Sequence, residues 1–127
     1  MGRELQIERI VLGSIIANFD ERWPDVRHSV SEEMFADPKH RELFRRAKTL
    51  ATEGRKVDPV TMYEAGSRTT EDALAIFDLS QYDDFTVRKW QYDVVQMFNR
   101  QVPRNVTFAD YVKQLRRNHE RRKKNNG

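Results

Sequence analysis

The amino-acid sequence predicts an all-α protein, and two observations lead to that prediction. Asp37-Pro38 and Asp58-Pro59 are typical helix starts, because aspartate caps the first turn and proline at the first helical position gives up an N–H that has no partner there. Apolar residues also recur along the chain at the spacing of a buried helix face, and no segment alternates with the period of two expected of a strand.

The amino-terminal part of the chain predicts two helices and a short turn. A helix over residues 4–18 would bury a broad apolar face made of Leu5, Val11, Leu12, Ile15, Ile16 and Phe19. Asp20 is expected to cap a second segment, whose buried side carries Trp23, Val26 and Val30. Ser31 then precedes an acidic turn over residues 32–35, where negative charge suits a helix amino terminus.

The central part predicts three helices. The helix that begins at Asp37-Pro38 should end at Gly54, a left-handed cap, and its buried stripe is His40, Leu43, Phe44, Ala47, Leu50 and Ala51. Asp58-Pro59 should open a short helix with Val60, Met62 and Tyr63. Thr69 and Asp72 resemble a capping box that precedes the apolar residues Leu74, Ile76 and Phe77.

Two further helices are expected in the carboxyl-terminal part. Thr86 should cap a helix that ends before Pro103 and carries Val87, Trp90, Val94 and Phe98 on one face. Thr107 with Asp110 should open a last helix whose apolar stripe is Phe108, Tyr111, Val112 and Leu115. Beyond Leu115 the sequence is almost entirely charged, so we expect a globular domain over residues 1–112 and a basic helical extension and tail over residues 113–127.

Composition places the chain in a simple class. A length of 127 residues suits one domain with one core. The chain has no cysteine, no apolar run at its start and no stretch of membrane-spanning length. We therefore expect a cytoplasmic protein that does not associate with membranes.

Charge is unevenly divided along the chain. Residues 1–99 contain 14 Lys or Arg and 18 Asp or Glu, a net charge of −4, whereas residues 100–127 contain 9 and 2, a net charge of +7. The basic run Lys113, Arg116, Arg117, Arg121, Arg122, Lys123 and Lys124 is spread over most of a helix circumference. It is a candidate contact for nucleic-acid phosphates or for a protein partner. The alternative is a solvated helix end, which the helix dipole would favour.

No catalytic, cofactor-binding or metal-binding residues are predicted. The sequence has no G-x-x-x-x-G-K-[ST] loop for nucleotide phosphates, and His28, His40 and His119 are too far apart to suggest a metal site. We expect His40 to be a buried, hydrogen-bonded structural residue, and His28 and His119 to be exposed. Gly13, inside an apolar helix, indicates a close helix–helix approach, either within the domain or at a subunit contact.

Several short motifs follow one another in a recognisable order. They are Glu8-x-x-Val11-Leu12-Gly13, Trp23 with Val26, Phe35, Pro38-x-His40-x-x-Leu43-Phe44, Gly54-x-x-Val57-Asp58-x-Val60-Thr61-Met62, Tyr92-x-Val94-Val95 and Asn105-Val106-x-Phe108-Ala109-x-Tyr111. Over nearly the whole chain this order resembles the amino-terminal domain of the DnaB-type bacterial replicative DNA helicases. Residues 64–90 depart from it, being longer than the usual connection.

The resemblance implies both a fold and a structural motif. The fold is a compact orthogonal helical domain followed by the start of a helical hairpin, and we expect the second hairpin helix and the ATPase motor to be lacking. The structural family motif comprises Leu12, Gly13, Phe35, His40, Phe44, Val57, Asp58 and Thr61.

The resemblance also implies a function. In that family the domain carries no chemistry, pairs with copies of itself in a collar above the motor domains, and helps to dock the primase. We therefore expect a non-catalytic interaction domain of DNA replication without a cofactor, whose partners are a second copy, a primase or a replicative helicase motor. A stand-alone chain would be a fragment, part of a split mobile-element helicase, or an adaptor.

Two alternatives stay open. The helicase-binding domain of a primase shares this architecture, although Val57-Asp58-x-Val60-Thr61 favours the helicase. A small nucleic-acid-binding protein that uses residues 113–124 as a basic helix belongs to a different functional class.

Overall fold

The computed structural model describes residues 2–82 and 108–126, and within these ranges it is built of helices without a strand. The described α-helices are α1 Gly2–Ala17, α2 Phe19–Val26, α3 Pro38–Thr52, α4 Pro59–Glu64, α5 Thr70–Ser80 and α6 Phe108–Asn126, and a 3-10 turn, Glu32–Met34, joins α2 to α3. The predicted all-α fold is confirmed. The predicted helix from Thr86 to Phe98 and its end at Pro103 lie outside the described residues.

Helix α1 is the centre of the packing and contacts α2, α3, α5 and α6. Its predicted apolar face is confirmed at Val11, Leu12, Ile15 and Ile16, which are buried, whereas Leu5 is only partly buried and Phe19 belongs to α2. Gly13 lies where α1 crosses α5, and a β-carbon at this position would stand 2.1 Å from the carbonyl oxygen of Leu79. The predicted close approach at Gly13 is therefore a contact within the domain.

Both Asp-Pro helix starts form as the sequence predicts. The Asp37 carboxylate accepts the Lys39 N–H at 2.8 Å. Asp58 accepts the Thr61 N–H at 2.8 Å, and the Thr61 hydroxyl accepts the Asp58 N–H at 2.9 Å, a reciprocal cap that satisfies two backbone donors. Gly54 ends α3 in the left-handed region, with φ of 73°, as its position predicts.

Other predicted caps form differently. Helix α2 begins at Phe19, so Asp20 lies in its first turn rather than before it, where its charge still suits the positive end of the dipole. The hydroxyl of Ser31 contacts the Glu33 carboxylate and makes no capping hydrogen bond. Thr69 does cap α5 by accepting the Asp72 N–H at 3.1 Å, but the Asp72 carboxylate crosses to α3 instead of returning to Thr69.

The predicted apolar faces of α4 and α5 are partly wrong. Met62 and Ile76 are fully buried, but Val60 is 57%, Leu74 59% and Phe77 53% exposed. In α5 the positions that share one face are Asp72, Ile76 and Leu79, all of them buried. A period of 3.6 residues puts Leu74 and Phe77 on the opposite side of that helix.

Helix α6 packs along α1 and the 3-10 turn. Phe108, Tyr111, Val112 and Leu115 are buried, as their spacing predicts. The inward face continues past them, however, with Asn118 at 2% exposure. The predicted domain boundary after residue 112 therefore falls within one uninterrupted helix, and the division stays a prediction.

Candidate interaction surfaces

A buried carboxylate organises the start of α3. Glu8, 1% exposed, accepts the N–H of Ala36 at 2.7 Å, the N–H of Asp37 at 3.3 Å and the Nδ1–H of His40 at 2.8 Å. These donors satisfy an acceptor whose burial would otherwise be costly. His40 is therefore the hydrogen-bonded structural histidine that the sequence predicts, and Glu8 is its partner.

A second buried carboxylate ties three helices together. The Asp72 side chain in α5, 1% exposed, lies 2.6 Å from Nζ of Lys39 and 3.0 Å from a guanidinium nitrogen of Arg46, both in α3. The same guanidinium nitrogen of Arg46 donates to the carbonyl of Met62 in α4 at 2.8 Å. A second nitrogen of Arg46 donates to Glu42 at 2.8 Å. This charge network fixes the position of α5 on the body of the domain.

The network changes the acidity of Asp72. Burial by itself would raise the pKa of the Asp72 carboxyl, but the hydrogen bonds and charges of Arg46 and Lys39 outweigh burial and lower the pKa below its ordinary value. The pKa of Lys39 and of Arg46 is raised, because Asp72 and Glu42 outweigh the opposing effect of burial on each cation. The ionised network is therefore the state that the folded protein favours.

Sequence reasoning missed these buried charges for a physical reason. Glu8 stands four residues before Leu12 on the buried face of α1, and a charge on an apolar face is a signal for a buried pair. Arg46 and Lys39 gave no such signal. Both are long side chains, and the carboxylate that each of them binds, Asp72, lies 26 or more residues further along the chain. Their role depends on how α5 packs against α3.

The predicted basic residues are divided between two sides of α6. Lys113, Arg116, Arg117, Arg121, Lys123 and Lys124 are exposed, whereas Arg122 faces the body. Arg122 donates to the carbonyl oxygen of Met34 at 2.7 Å and lies 3.8 Å from the Glu4 carboxylate. Arg121 lies 3.7 Å from Glu4 and donates to Asn118. The run is thus spread around the helix as predicted, and Arg122 is the member that is held against the body.

The remaining charged side chains form one exposed surface. We call Lys113, Arg116, Arg117, Glu120 and Lys124 the α6 outer face. Together with Arg121 these side chains line a single surface depression. The apolar side chain exposed beside the α6 outer face is the small Ala109, one turn before Lys113.

A second exposed surface is apolar. Leu74 and Phe77, which we call the α5 apolar pair, are one turn apart and more than half exposed. The exposed polar residues Thr70, Glu71, Asp78 and Gln81 lie around them. Leu74 and Phe77, together with Val60, are the large apolar side chains that are more than half exposed in the described part of the chain.

The other predicted sites are placed as follows. His28 is exposed, but His119 is half-buried rather than exposed. The described residues hold no group of three or more His, Asp or Glu that could bind a metal ion. In the same ranges, no helix is both long and apolar enough to cross a membrane.

The structural motif residues all serve the fold. Leu12, Gly13, Phe35, Phe44 and Val57 are buried, and the rings of Phe35 and Phe44 lie 5.3 Å apart in the core. His40 binds Glu8, and Asp58 and Thr61 form the α4 cap. In the part of the chain that the structure describes, the fold is a small all-α domain that exposes the α5 apolar pair and the α6 outer face.

Comparison with known proteins identifies the family. The model of the DnaB-like helicase N-terminal domain matches residues 2–81, and the chain belongs to that family. It is thus a replication-related helicase domain of a typically non-catalytic kind. No curated protein and no solved structure gives a significant match. The match spans α1 to α5, and the motifs beyond residue 81 lie outside it.

Proposed function

We propose that the chain is a non-catalytic protein-interaction domain of DNA replication, which self-associates and docks a primase or a replicative helicase motor. Membership of the DnaB-like helicase N-terminal domain family supports the replication role. The exposure of the α5 apolar pair, at 59% and 53%, is the observation that supports an interaction surface.

The α5 apolar pair has the composition of a small interface centre. An aromatic and an aliphatic side chain stand together, and polar residues surround them, which is the arrangement of an apolar core with a polar rim. Burying a Leu or Phe completely is worth about 1.5–3 kcal/mol. More than half of each side chain is still exposed, so much of that free energy is available to a contact.

Charge favours a second copy of the chain at α5 over one at α6. Two α5 surfaces related by a two-fold axis would bring Leu74 and Phe77 of each copy together, with only the exposed carboxylates of Glu71 and Asp78 as like charges at the edge of the contact. Two α6 outer faces would instead bring four cations against four, and like charges across an interface are unfavourable. We therefore propose α5 as the surface for self-association.

A concentration series in sedimentation velocity tests this assignment. We expect the wild-type chain to self-associate and Leu74→Ser/Phe77→Ser to remain monomeric. Val60→Ser is the matched control, because Val60 is exposed to the same degree on α4 and its replacement should leave association unchanged. Equal loss in both variants would indicate general adhesion of apolar surface, and a wild-type chain that stays monomeric would contradict the proposal.

Docking of a primase or helicase motor needs a separate measurement. Purified partners should be retained by the immobilised full chain, and retention should survive glutamine substitution of the cations on the α6 outer face. Truncation before residue 116 is unsuitable for this test, because it would also remove Asn118 and Arg122, which hold α6 on the body. A chain that retains no partner and whose only binding is to nucleic acid would instead support the competing class of small nucleic-acid-binding protein.

A further inference from the structure

We infer that the α6 outer face binds the phosphate backbone of a nucleic acid duplex, independently of base sequence. This binding site goes beyond the proposed protein-interaction function and uses a different surface. The inference rests on three observations: the spacing of the cations on α6, the contacts that hold this helix on the body, and the composition of the exposed face.

The cations form a row along one side of a helix. Lys113, Arg117 and Lys124 differ by four and seven residues, which places them on one face, and Arg116 lies beside them. At about 1.5 Å per residue the row is roughly 16 Å long. Duplex DNA carries one negative charge per about 1.7 Å of its axis, so a row of this length can meet several phosphates at once.

The row is held rigidly on the body of the domain. The inward side of α6 is fixed by Leu115 and Asn118, which are 0% and 2% exposed. Its carboxyl-terminal half is fixed by Arg122, whose guanidinium donates to the Met34 carbonyl at 2.7 Å. Because the helix itself is already held in place, binding costs conformational entropy mainly in the exposed Lys and Arg side chains.

The exposed cations are not used by the rest of the described structure. Arg121 and Arg122 lie close to Glu4, at 3.7 Å and 3.8 Å. Within residues 2–82 and 108–126, Lys113, Arg116, Arg117 and Lys124 make no comparable ion pair with another described residue. Their positive charge is therefore available to an external anion.

Composition favours nucleic acid over an acidic protein surface. Protein interfaces concentrate apolar and aromatic side chains at their centre and are depleted of Lys and Glu, whereas the α6 outer face contains charged residues alone. It also offers no aromatic ring for base stacking and no exposed amide for reading base edges. The face can neutralise phosphates, and it has no means of selecting a sequence.

Binding of the full chain to a short mixed-sequence DNA duplex, followed by fluorescence anisotropy, tests the inference. With four phosphates neutralised, the affinity should fall roughly 100-fold between about 50 and 200 mM salt. The single strand should bind no more tightly than the duplex, because the face cannot stack bases. A polyglutamate of similar length should bind more weakly than the duplex. Tighter binding of the single strand or of polyglutamate would overturn the inference, as would a duplex affinity that does not depend on salt.

Two matched variants locate the site. The first replaces Lys113, Arg116, Arg117 and Lys124 by Gln; the second replaces Lys48, Lys56, Arg27 and Arg55, which are exposed elsewhere. Each removes two Lys and two Arg, so the net charge changes equally. The first variant should lose more than about tenfold in duplex affinity and nearly all of the salt dependence, and the second should keep both. Equal losses would overturn the inference.

Three further variants exclude a folding effect. Lys113→Gln/Lys124→Gln, compared with Lys48→Gln/Lys56→Gln, repeats the test with half the change if the fourfold variant does not fold. Glu120→Gln removes the one negative charge of the α6 outer face and should tighten duplex binding. Weaker binding by the Glu120→Gln protein, with an unchanged thermal unfolding curve, would contradict an electrostatic contact at this face.

Discussion

At residue 13, a β-carbon would lie 2.1 Å from the carbonyl oxygen of Leu79, whereas at residue 54 it would meet nothing within 4 Å. The two glycines are therefore required for different reasons. Gly13 allows the backbones of α1 and α5 to cross closely, and Gly54 allows the left-handed turn, with φ of 73°, that ends α3. The first requirement arises from packing and the second from the local backbone.

Replacing each glycine by alanine separates these two requirements. Gly13→Ala would add about 1 kcal/mol of helix stability by propensity alone, but the crossing has to open, which costs about 1–3 kcal/mol or more. We therefore expect a net loss of stability in urea unfolding. Gly54→Ala should cost about 1 kcal/mol, the penalty of the left-handed region for an L-residue. A Gly13→Ala protein more stable than the wild type would refute the close crossing.

The residues that sequence reasoning placed correctly are those governed by local rules. Asp37, Asp58 and Gly54 act within a few positions of themselves, so a short segment contains the whole cause. The partner of Gly13 is 66 positions away in sequence, and nothing near residue 13 indicates which helix would cross there. A close approach could be predicted, but its partner could not.

Among the helices, α5 combines a charged anchor with an apolar outer side. Its buried face includes Asp72, while Leu74 and Phe77 are exposed. A helix with apolar residues on both sides gives no single stripe from which to predict its orientation. The buried face of α5 could not be predicted for this reason, whereas the single stripes of α3 and α6 were predicted correctly.

Asp72→Asn tests how strongly the charge network holds α5. The substitution leaves Lys39 and Arg46 without their shared carboxylate. At pH 7 it should lower the free energy of unfolding by about 3 kcal/mol, the lower end of the range for breaking a buried ion pair. The lower end applies because Lys39 is 37% exposed, so water can solvate its charge when the carboxylate is lost. Asp78→Asn, at an exposed position of the same helix, is the control and should have little effect.

The stability difference between the wild-type chain and Asp72→Asn should depend on pH in one direction. The folded-state pKa of Asp72 is lowered, so its stabilisation is complete above the unfolded value of about 3.9 and is lost as the pH falls through the lower folded value. The gap between wild type and Asp72→Asn in urea unfolding should therefore be constant from neutral pH down to about pH 5 and close below about pH 4. A gap independent of pH would show that shape, and not charge, holds α5.

Over the whole molecule, the uneven distribution of charge along the sequence gives an uneven distribution of charge on the surface. Residues 100–127 carry a net charge of +7, and most of the cations on the described part of that segment are exposed on α6. Family and fold class were both predictable, because the helix starts and core stripes recur in a fixed order. The inward turn of Arg122 was not, because it depends on the Met34 carbonyl, 88 residues away in sequence.

The attachment of α6 leads to a prediction about truncated chains. Ending the chain after Leu115 removes the buried Asn118 and the bond from Arg122 to Met34. A hydrogen bond from a charged donor contributes about 1.5–3 kcal/mol, so the midpoint of urea unfolding should fall by the equivalent of about 2–3 kcal/mol. Ending the chain after Arg122 removes only residues beyond that bond, and stability should stay within about 0.5 kcal/mol of the full chain. Helix α6 would then be part of the cooperative unit through residue 122.

Equal midpoints for the two truncated chains would instead show that the domain ends at Leu115 and that the basic segment is an independent extension.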